Sequence, residues 1–252
     1  MRLRLGGLAV VAVLALGACG SDGEAADPAA RRGGPADVDL ELASARDTLP
    51  PAPSVADGLT VVLTHPGGAG DPGLDAAAGA LAQRPDLRVV IAVADGTGDV
   101  TMSGFPVAVT GQTAADAVGA ALDADPEADL VVVGIADGHG IGGTSAEASV
   151  AEARDVPALV VGSGPGPQPD LAAATMQLLD VVDLELDALL DGGARRLAVP
   201  SCEHGMLRGR LTARATRTAP PELRSDCTST VVPGRDEAEA FAHGYATLTP
   251  LG

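Results

Sequence analysis

The chain has almost no aromatic residues, and this limits both its core and its partners. Among its 252 residues there is no Trp, and Tyr245, Phe105 and Phe241 are the only other aromatic side chains. Val, Leu and Ala must therefore fill the core. Single-stranded nucleic acid usually stacks on aromatic side chains, and a formal charge of −18 repels phosphate backbones. The composition argues against nucleic acid as a partner.

Cysteine is also scarce, and the first of the three cysteines lies in a distinctive context. Cys19 follows Leu16-Gly17-Ala18, after a short basic start and an apolar run that is too short to span a bilayer. The pattern is typical of an export signal, and its end resembles the bacterial lipobox, in which the cysteine becomes the lipidated first residue. We predict that residues 1–18 are a signal peptide and that lipid on Cys19 anchors the exported protein to the outer face of the cell membrane. An ordinary cleaved signal with an incidental cysteine is the alternative.

The other two cysteines are Cys202 and Cys227. Outside the cytoplasm a disulfide between them is the default expectation, because nothing there keeps thiols reduced. Closing that loop would stabilise the fold by about 3 kcal/mol on the chain-entropy estimate. Two buried free thiols are the alternative.

Residues 19–57 show no sustained hydrophobic periodicity. Gly, Ala, Pro, Asp and Arg dominate this segment, as in Arg31–Pro35 and Pro50–Pro53. Such a composition cannot bury enough apolar surface to offset the entropy lost on ordering, so we predict a disordered tether. The remaining residues, 58–252, suit a single domain with a sizeable core.

Short apolar runs alternate with helical patterns through this domain. The predicted strands are Leu59–Leu63, Leu87–Val93, Pro106–Thr110, Asp129–Gly134, Ala158–Gly162 and Leu197–Val199, and the predicted helices are Asp71–Gln83, Thr113–Asp123 with Thr113 as N-cap, Thr144–Arg154 and Asp170–Leu190. Apolar strands separated by helices indicate a mostly parallel sheet covered on both faces. We therefore predict a doubly wound α/β fold sandwiched by helices. The alternating stretch Arg208–Arg217 is expected to form an extension or hairpin outside the main sheet.

Three glycine-rich loops follow three of the predicted strands, at residues 64–71, 94–104 and 135–143. In open α/β sheets, ligands bind beyond the carboxyl ends of the strands, where the winding reverses. Backbone N–H groups in such loops, together with the N-terminus of the next helix, can cradle an anion. The loops are therefore the candidate site, although glycine-rich loops also serve as ordinary turns.

Three further stretches carry a family resemblance. They are Val131–Ile135 with the following Gly143-Thr144, Thr110–Val118, and the C-terminal Gly244–Leu251. Together these stretches resemble the SurE survival-protein family over about Leu59 to Leu251. The paired cysteines resemble the exported branch of that family. The resemblance implies an α/β fold and metal-dependent phosphatase or nucleotidase activity on small phosphate esters, such as 5′- and 3′-nucleotides. Because family members often form homo-oligomers, the predicted helix at 170–190 is a candidate dimer contact.

The resemblance also implies a divalent ion, Mg²⁺ or Mn²⁺, held by two adjacent aspartates, a serine and an asparagine. Oxygen ligands are needed because the ion must polarise a phosphate and lower the pKa of a bound water. In this chain the positions of the family's Asn-Asp-Asp-Gly loop are occupied by His65, Pro66, Gly67 and Gly68. The asparagine position is Ala136, and candidates for the serine are Thr97, Thr101 and Ser103. We predict that the family's metal site and its cofactor are lost, and that Gly143 and Thr144 remain from a phosphate-binding motif.

A relocated metal site is the alternative. Asp71, Asp95, Asp99 and Asp137 lie on the three loops, with His65 and His139 nearby, and several of these side chains could form a mixed nitrogen and oxygen site. Of these, Asp71 and Asp137 are the candidates for the relocated ligands. Asp is also common in such turns because it bonds its own backbone. The sequence therefore leaves two functions open. One is a surface-anchored phosphohydrolase, and the other is a noncatalytic binding or interaction module on the same fold.

Overall fold

The computed structural model describes residues 58–137, 141, 145–164, 169–216 and 223–251. Its strands are β1 (Leu59–Thr64), β2 (Leu87–Ala94), β3 (Val109–Gly111), β4 (Leu130–Asp137), β5 (Ala158–Ser163), β6 (Ala194–Val199), β7 (Arg210–Thr212) and β8 (Ala246–Pro250). Its helices are α1 (Pro72–Leu81), α2 (Ala114–Ala124), α3 (Ala146–Glu152), α4 (Leu171–Leu184), α5 (Leu186–Leu190) and α6 (Glu237–Ala242). The predicted signal peptide, the tether and Cys19 lie outside the described residues.

The strands form a single eight-stranded sheet in the order β3-β2-β1-β4-β5-β6-β8-β7. The six strands from β3 to β6 are parallel, β8 runs antiparallel to β6, and β7 runs parallel to β8. The chain moves outward from β1 to β3 and then restarts at β4 on the other side of β1. The winding therefore reverses between β1 and β4, and the predicted doubly wound, mostly parallel α/β fold is confirmed.

Both faces of the sheet are covered by helices, and this explains why the strands are apolar throughout. Along β1, Val61 and Leu63 pack with residues of α1, α4 and α5 in one buried cluster. Val62 packs on the opposite face with residues of α2 and α3. Because successive residues of a strand point to opposite faces, each face of β1 needs its own apolar residues.

Each of the longer helices begins at a residue whose side chain caps its N-terminus. The N-caps of α1, α2, α3, α4 and α6 are Asp71, Thr113, Ser145, Asp170 and Asp236. Their oxygens accept hydrogen bonds from backbone N–H groups that have no partner within the helix. The predicted N-cap Thr113 is confirmed, and Asp116 completes a capping box with it. None of the helices in the described residues has both the length and the apolarity needed to cross a bilayer.

Two expectations about the later elements are wrong. The helix expected over Asp170–Leu190 is two helices that meet at Glu185, where φ is −127° and ψ is 15°. The Glu185 carboxylate accepts a hydrogen bond of 2.6 Å from Arg210 on β7. The helix is therefore interrupted at a residue that contacts a distant strand, and no Gly or Pro marks this position in the sequence. The predicted stretch from Arg208 does not lie wholly outside the sheet, because its residues Arg210–Thr212 form β7 at the sheet edge beside β8.

A buried ion pair connects β6 to α6. The Arg196 guanidinium donates hydrogen bonds of 2.8 Å and 2.5 Å to the two carboxylate oxygens of Glu237, and the side chains are 4% and 0% exposed. The Thr216 N–H donates a third hydrogen bond to Glu237, of 3.2 Å. This two-pronged geometry satisfies both charges away from water. The sequence reasoning did not identify the pair, although an arginine inside an apolar strand was a signal.

The two remaining cysteines are joined in the structure. A disulfide connects Cys202, after β6, to Cys227, before α6, with Cα atoms 5.7 Å apart. This separation lies within the range that disulfide geometry requires. The pairing in the living cell depends on export and stays a prediction.

Candidate functional site

His65 lies at the point where the winding of the sheet reverses, directly after β1, and is only 3% exposed. Its Nδ1 accepts a hydrogen bond of 2.9 Å from the Gly67 N–H. Its Nε2 lies 3.3 Å from the Ile135 carbonyl oxygen and 3.4 Å from Oδ1 of Asp71. Because Nδ1 accepts, this geometry assigns the proton to Nε2, which donates toward Ile135. Both ring nitrogens therefore contact protein groups, and His65 links the loop after β1 to the end of β4.

Asp71, a candidate for a relocated metal site, caps helix α1. Its Oδ1 accepts a hydrogen bond of 2.7 Å from the Gly73 N–H, and the same oxygen faces His65. The carboxylate also lies over Gly67, because a Cβ atom built there would be 2.5 Å from Oδ2 of Asp71. The side chain is 29% exposed. Asp71 thus has a structural role as the N-cap of α1.

The loop after β1 and the start of α1 contact the loop after β2 and the end of β4. A Cβ atom built at Gly73 would lie 1.8 Å from the Ile135 carbonyl oxygen, so only glycine lets α1 approach the end of β4 this closely. The Ala69 N–H donates to the Thr97 hydroxyl over 3.2 Å, and that hydroxyl donates to the Ala94 carbonyl over 2.7 Å. Two of the three predicted glycine-rich loops therefore meet, and the third begins at the end of β4 and continues into residues outside the described ranges.

The other serine candidates of the second loop are bound to Asp75 in the first turn of α1. The hydroxyls of Thr101 and Ser103 donate over 2.7 Å and 2.6 Å, and the Ser103 N–H donates over 2.7 Å. Burial raises the pKa of Asp75, but the hydrogen bonds from Ser103 and Thr101 outweigh it and hold the pKa below its ordinary value of 3.8. Sequence reasoning missed Asp75, although an acidic residue in the first turn of a helix was a usable signal.

The remaining predicted site residues are exposed, pair within the sheet or lie outside the described residues. Asp95 and Asp99 are exposed on the loop after β2, and Asp137 is exposed at the end of β4. Ala136 is 5% exposed and pairs with Gly162 in the sheet. His139 and the predicted phosphate-binding Gly143 and Thr144 lie outside the described ranges. Within those ranges, no three His, Cys, Asp or Glu side chains form a group that could hold a metal ion.

The divalent ion that the SurE resemblance implies does not fit the residues at the corresponding positions. Pro66 and Gly67 have no side-chain donor atom, and Ala136 presents a buried methyl group. Both nitrogens of His65 already contact protein groups. A hard dication needs several oxygen ligands, usually with negative charge, and these positions supply none.

Comparison with solved structures shows the same architecture in another protein. The crystal structure of the SurE protein from Aquifex aeolicus matches with a TM-score of 0.57, and the match covers 76% of this chain and 92% of that chain. The chain has the fold of SurE. The sequence identity over the match is 20%, so the likeness shows the architecture alone. No protein-family model matches the chain, and no curated protein matches its sequence.

Proposed function

We propose that this protein is an exported, lipid-anchored SurE-fold module that has lost the metal-dependent phosphohydrolase activity of the SurE family and acts by binding. One observation carries the proposal. At the positions of the family's acidic pair stand Pro66 and Gly67, which have no side-chain donor atom. His65, directly before them, is buried and makes hydrogen-bond contacts through both ring nitrogens, so it supports the protein's own backbone.

The neighbouring residues strengthen this argument. Family-type hydrolysis needs a dication to polarise the phosphate and to activate water, and charged oxygen ligands supply most of the affinity for that ion. Asp71 has such oxygens, but Oδ1 caps α1 through the Gly73 N–H. Redirecting it to an ion would cost about 1 kcal/mol of helix capping before any binding is gained.

The loop edge nevertheless keeps features that suit ligand binding. The loops after β1 and β2 and the end of β4 converge through Gly73, Thr97 and His65 at the carboxyl edge of the sheet. Glycine-rich backbone beside a helix N-terminus suits a small anion, and Gly143 and Thr144 resemble a phosphate-binding motif in sequence. We infer that small phosphate esters bind at this edge without being hydrolysed.

The second candidate function is an active metal-dependent phosphatase or nucleotidase. Two carboxylates favour it, because Asp71 lies on the loop after β1 and Asp137 ends β4, and these two strands flank the reversal of the winding. On this hypothesis they move on metal binding and form a relocated site. Substitution of Asp137 tests this hypothesis more directly than substitution of Asp71, because Asp71 also caps α1 and Asp137 caps none of the described helices.

An activity assay separates the two functions. The chain from Gly20 to Gly252, made without signal or lipid, is incubated with p-nitrophenyl phosphate and with 5′- and 3′-nucleotides, in Mn²⁺, in Mg²⁺ and in chelator. We expect no chelator-sensitive turnover, and we expect calorimetry to show nucleotide binding that is unchanged by chelator. Turnover that requires metal and falls in Asp137→Ala would establish the phosphohydrolase instead. Absence of both turnover and nucleotide binding would remove the phosphate-ester part of the proposal.

The anchor is tested separately in cells. Mass spectrometry of the mature N-terminus should find acyl chains on Cys19, and Cys19→Ser should release the protein from the membrane fraction. An unmodified N-terminus at another residue would show an ordinary cleaved signal.

A further inference from the structure

Positive charge is concentrated in one part of this acidic chain. Residues 58–193 contain three arginines and twenty acidic residues, whereas residues 194–235 contain eight arginines and three acidic residues. The described residues 202–216 and 223–235 belong to the second region, and we name them the arginine lobe. The disulfide Cys202–Cys227 and the hydrogen bond from the Arg214 N–H to the Arg235 carbonyl hold its two segments side by side. The lobe is therefore a basic surface on a molecule whose net charge is strongly negative.

Several arginines of the lobe are available to an external partner. Arg214, Arg224 and Arg235 are exposed, and they make no ion pair with any described residue. Arg210, in contrast, pairs with Glu185. Among the described residues, the exposed acidic ones on or beside the lobe are Glu203, Asp226, Asp236 and Glu239. Two of these already have structural partners, because Asp226 binds Thr228 and Asp236 caps α6.

Large apolar side chains are exposed among these arginines. Val232 is 83% exposed, Met206 is 81% exposed and Val231 is 50% exposed. Arg208 contacts one of them and the single tyrosine, since its Nη1 donates to the Val231 carbonyl over 2.7 Å while its guanidinium lies 4.6 Å from the Tyr245 ring centroid. Val232 lines an open cavity of about 430 Å³ together with Leu211, Thr212, Pro233, Gly234, Arg235 and Tyr245.

Exposed hydrocarbon among unpaired cations is the chemistry of a membrane-surface contact. A soluble polyanion would neutralise the arginines but would leave Val232 and Met206 in water. An anionic bilayer satisfies both, because lipid phosphates pair with guanidinium groups and the apolar side chains enter the interface. The acidic remainder of the domain is repelled by the same surface, so the contact has a preferred orientation.

We propose that the arginine lobe docks on an anionic lipid surface. Arg214, Arg224 and Arg235 lie against lipid phosphates, and Val232 and Met206 enter the headgroup region. The contact is additional to the lipid on Cys19, and only its setting at a cell membrane rests on the proposed export. It would orient the domain with the lobe toward the bilayer.

Vesicle sedimentation tests the contact with the lipid-free chain from Gly20 to Gly252, so the result does not depend on Cys19. One vesicle set is pure phosphatidylcholine, and in the other about one third of the lipid is phosphatidylglycerol. We expect binding only to the anionic vesicles. Raising the salt from about 0.1 M to about 1 M should abolish it, because the Debye length falls from about 10 Å to about 3 Å.

Single substitutions separate the charged from the apolar contribution. Arg224→Gln and Arg235→Gln should each weaken vesicle binding about fivefold, since an arginine near an anionic surface contributes about 1 kcal/mol. Val232→Ser should weaken it about tenfold through lost apolar burial. The matched controls are Arg154→Gln and Met102→Ser, which change an exposed arginine and a 67% exposed methionine outside the lobe. They should bind like the unaltered chain.

Three results would overturn the proposal. The first is no binding to anionic vesicles by a chain whose circular dichroism shows it to be folded. The second is equal weakening by the lobe and control substitutions. The third is vesicle binding that is insensitive to Val232→Ser and is competed fully by a soluble polyanion such as polyphosphate, because the lobe would then recognise charge alone.

Discussion

One added methyl group at Gly67 tests how His65 and Asp71 close the candidate site. In Gly67→Ala the new Cβ would lie 2.5 Å from Oδ2 of Asp71 and 3.0 Å from Nδ1 of His65. Carbon and oxygen atoms do not approach this closely, so the Asp71 carboxylate must turn away and give up its 2.7 Å hydrogen bond from the Gly73 N–H. Loss of an N-cap costs about 1 kcal/mol, and residual crowding adds to it. We expect Gly67→Ala to lower the free energy of unfolding by about 1–2 kcal/mol.

The same loop supplies a matched control. A Cβ atom at Gly70 would meet nothing within 4 Å, and this glycine is exposed, as Gly67 is. Gly70→Ala should therefore leave stability unchanged or raise it by about 0.5 kcal/mol, because alanine restricts the unfolded chain more than glycine does. Urea unfolding followed by far-ultraviolet circular dichroism measures both variants.

A double-mutant cycle identifies the cause of the loss. In an Asp71→Ala background the offending oxygen is absent, so adding Gly67→Ala should cost little. The two substitutions should then be coupled by about 1 kcal/mol. The reasoning is refuted if Gly67→Ala is as stable as Gly70→Ala, or if the effects of Gly67→Ala and Asp71→Ala simply add.

Two further predictions concern Asp75 and the buried ion pair. Because the pKa of folded Asp75 lies below 3.8, the stabilisation by its carboxylate is present above that pH and is lost as the pH falls through the folded value. The difference in free energy of unfolding between the unaltered chain and Asp75→Asn should therefore be largest near neutral pH and disappear in acid. A difference that does not change with pH would contradict this. Glu237→Gln should lower the free energy of unfolding by about 3 kcal/mol, because it removes the buried carboxylate charge that accepts two hydrogen bonds from the Arg196 guanidinium. Glu239→Gln, at an exposed residue of the same helix, should change the free energy of unfolding by less than about 0.5 kcal/mol. If Glu237→Gln and Glu239→Gln cost the same, the Arg196–Glu237 pair is not buried in the core.

The core elements of the fold could be predicted because their signals are local. β1 was expected at Leu59–Leu63 and lies at Leu59–Thr64, and α2 begins after the N-cap Thr113 as expected. Period-two apolar runs and capping residues act on neighbours along the chain, so they can be read without coordinates. The break at Glu185 was missed because Arg210, its hydrogen-bond partner, is distant in sequence.

The candidate site was predictable in place but not in detail. A reversal of strand order brings the carboxyl ends of β1 and β4 together in any doubly wound sheet, so the contact between the loop after β1 and the end of β4 followed from the order of elements. The contacts of His65 did not follow, because Ile135 lies 70 residues away and its carbonyl is positioned by the end of β4. The hydrogen bonds of Thr101 and Ser103 to Asp75 likewise cross between two loops.

The amino-acid sequence by itself determined which chemical groups are present. It placed no carboxylate at residues 65–68, left the core to aliphatic side chains, and put eight arginines into residues 194–235. Only the tertiary structure decided how those groups are used, by directing both nitrogens of His65 to protein groups, burying Arg196 against Glu237, and exposing Val232 beside Arg235. The reason is physical: propensity and periodicity act between neighbours along the chain, whereas a side chain's partners are set by the packing of segments that are far apart in sequence.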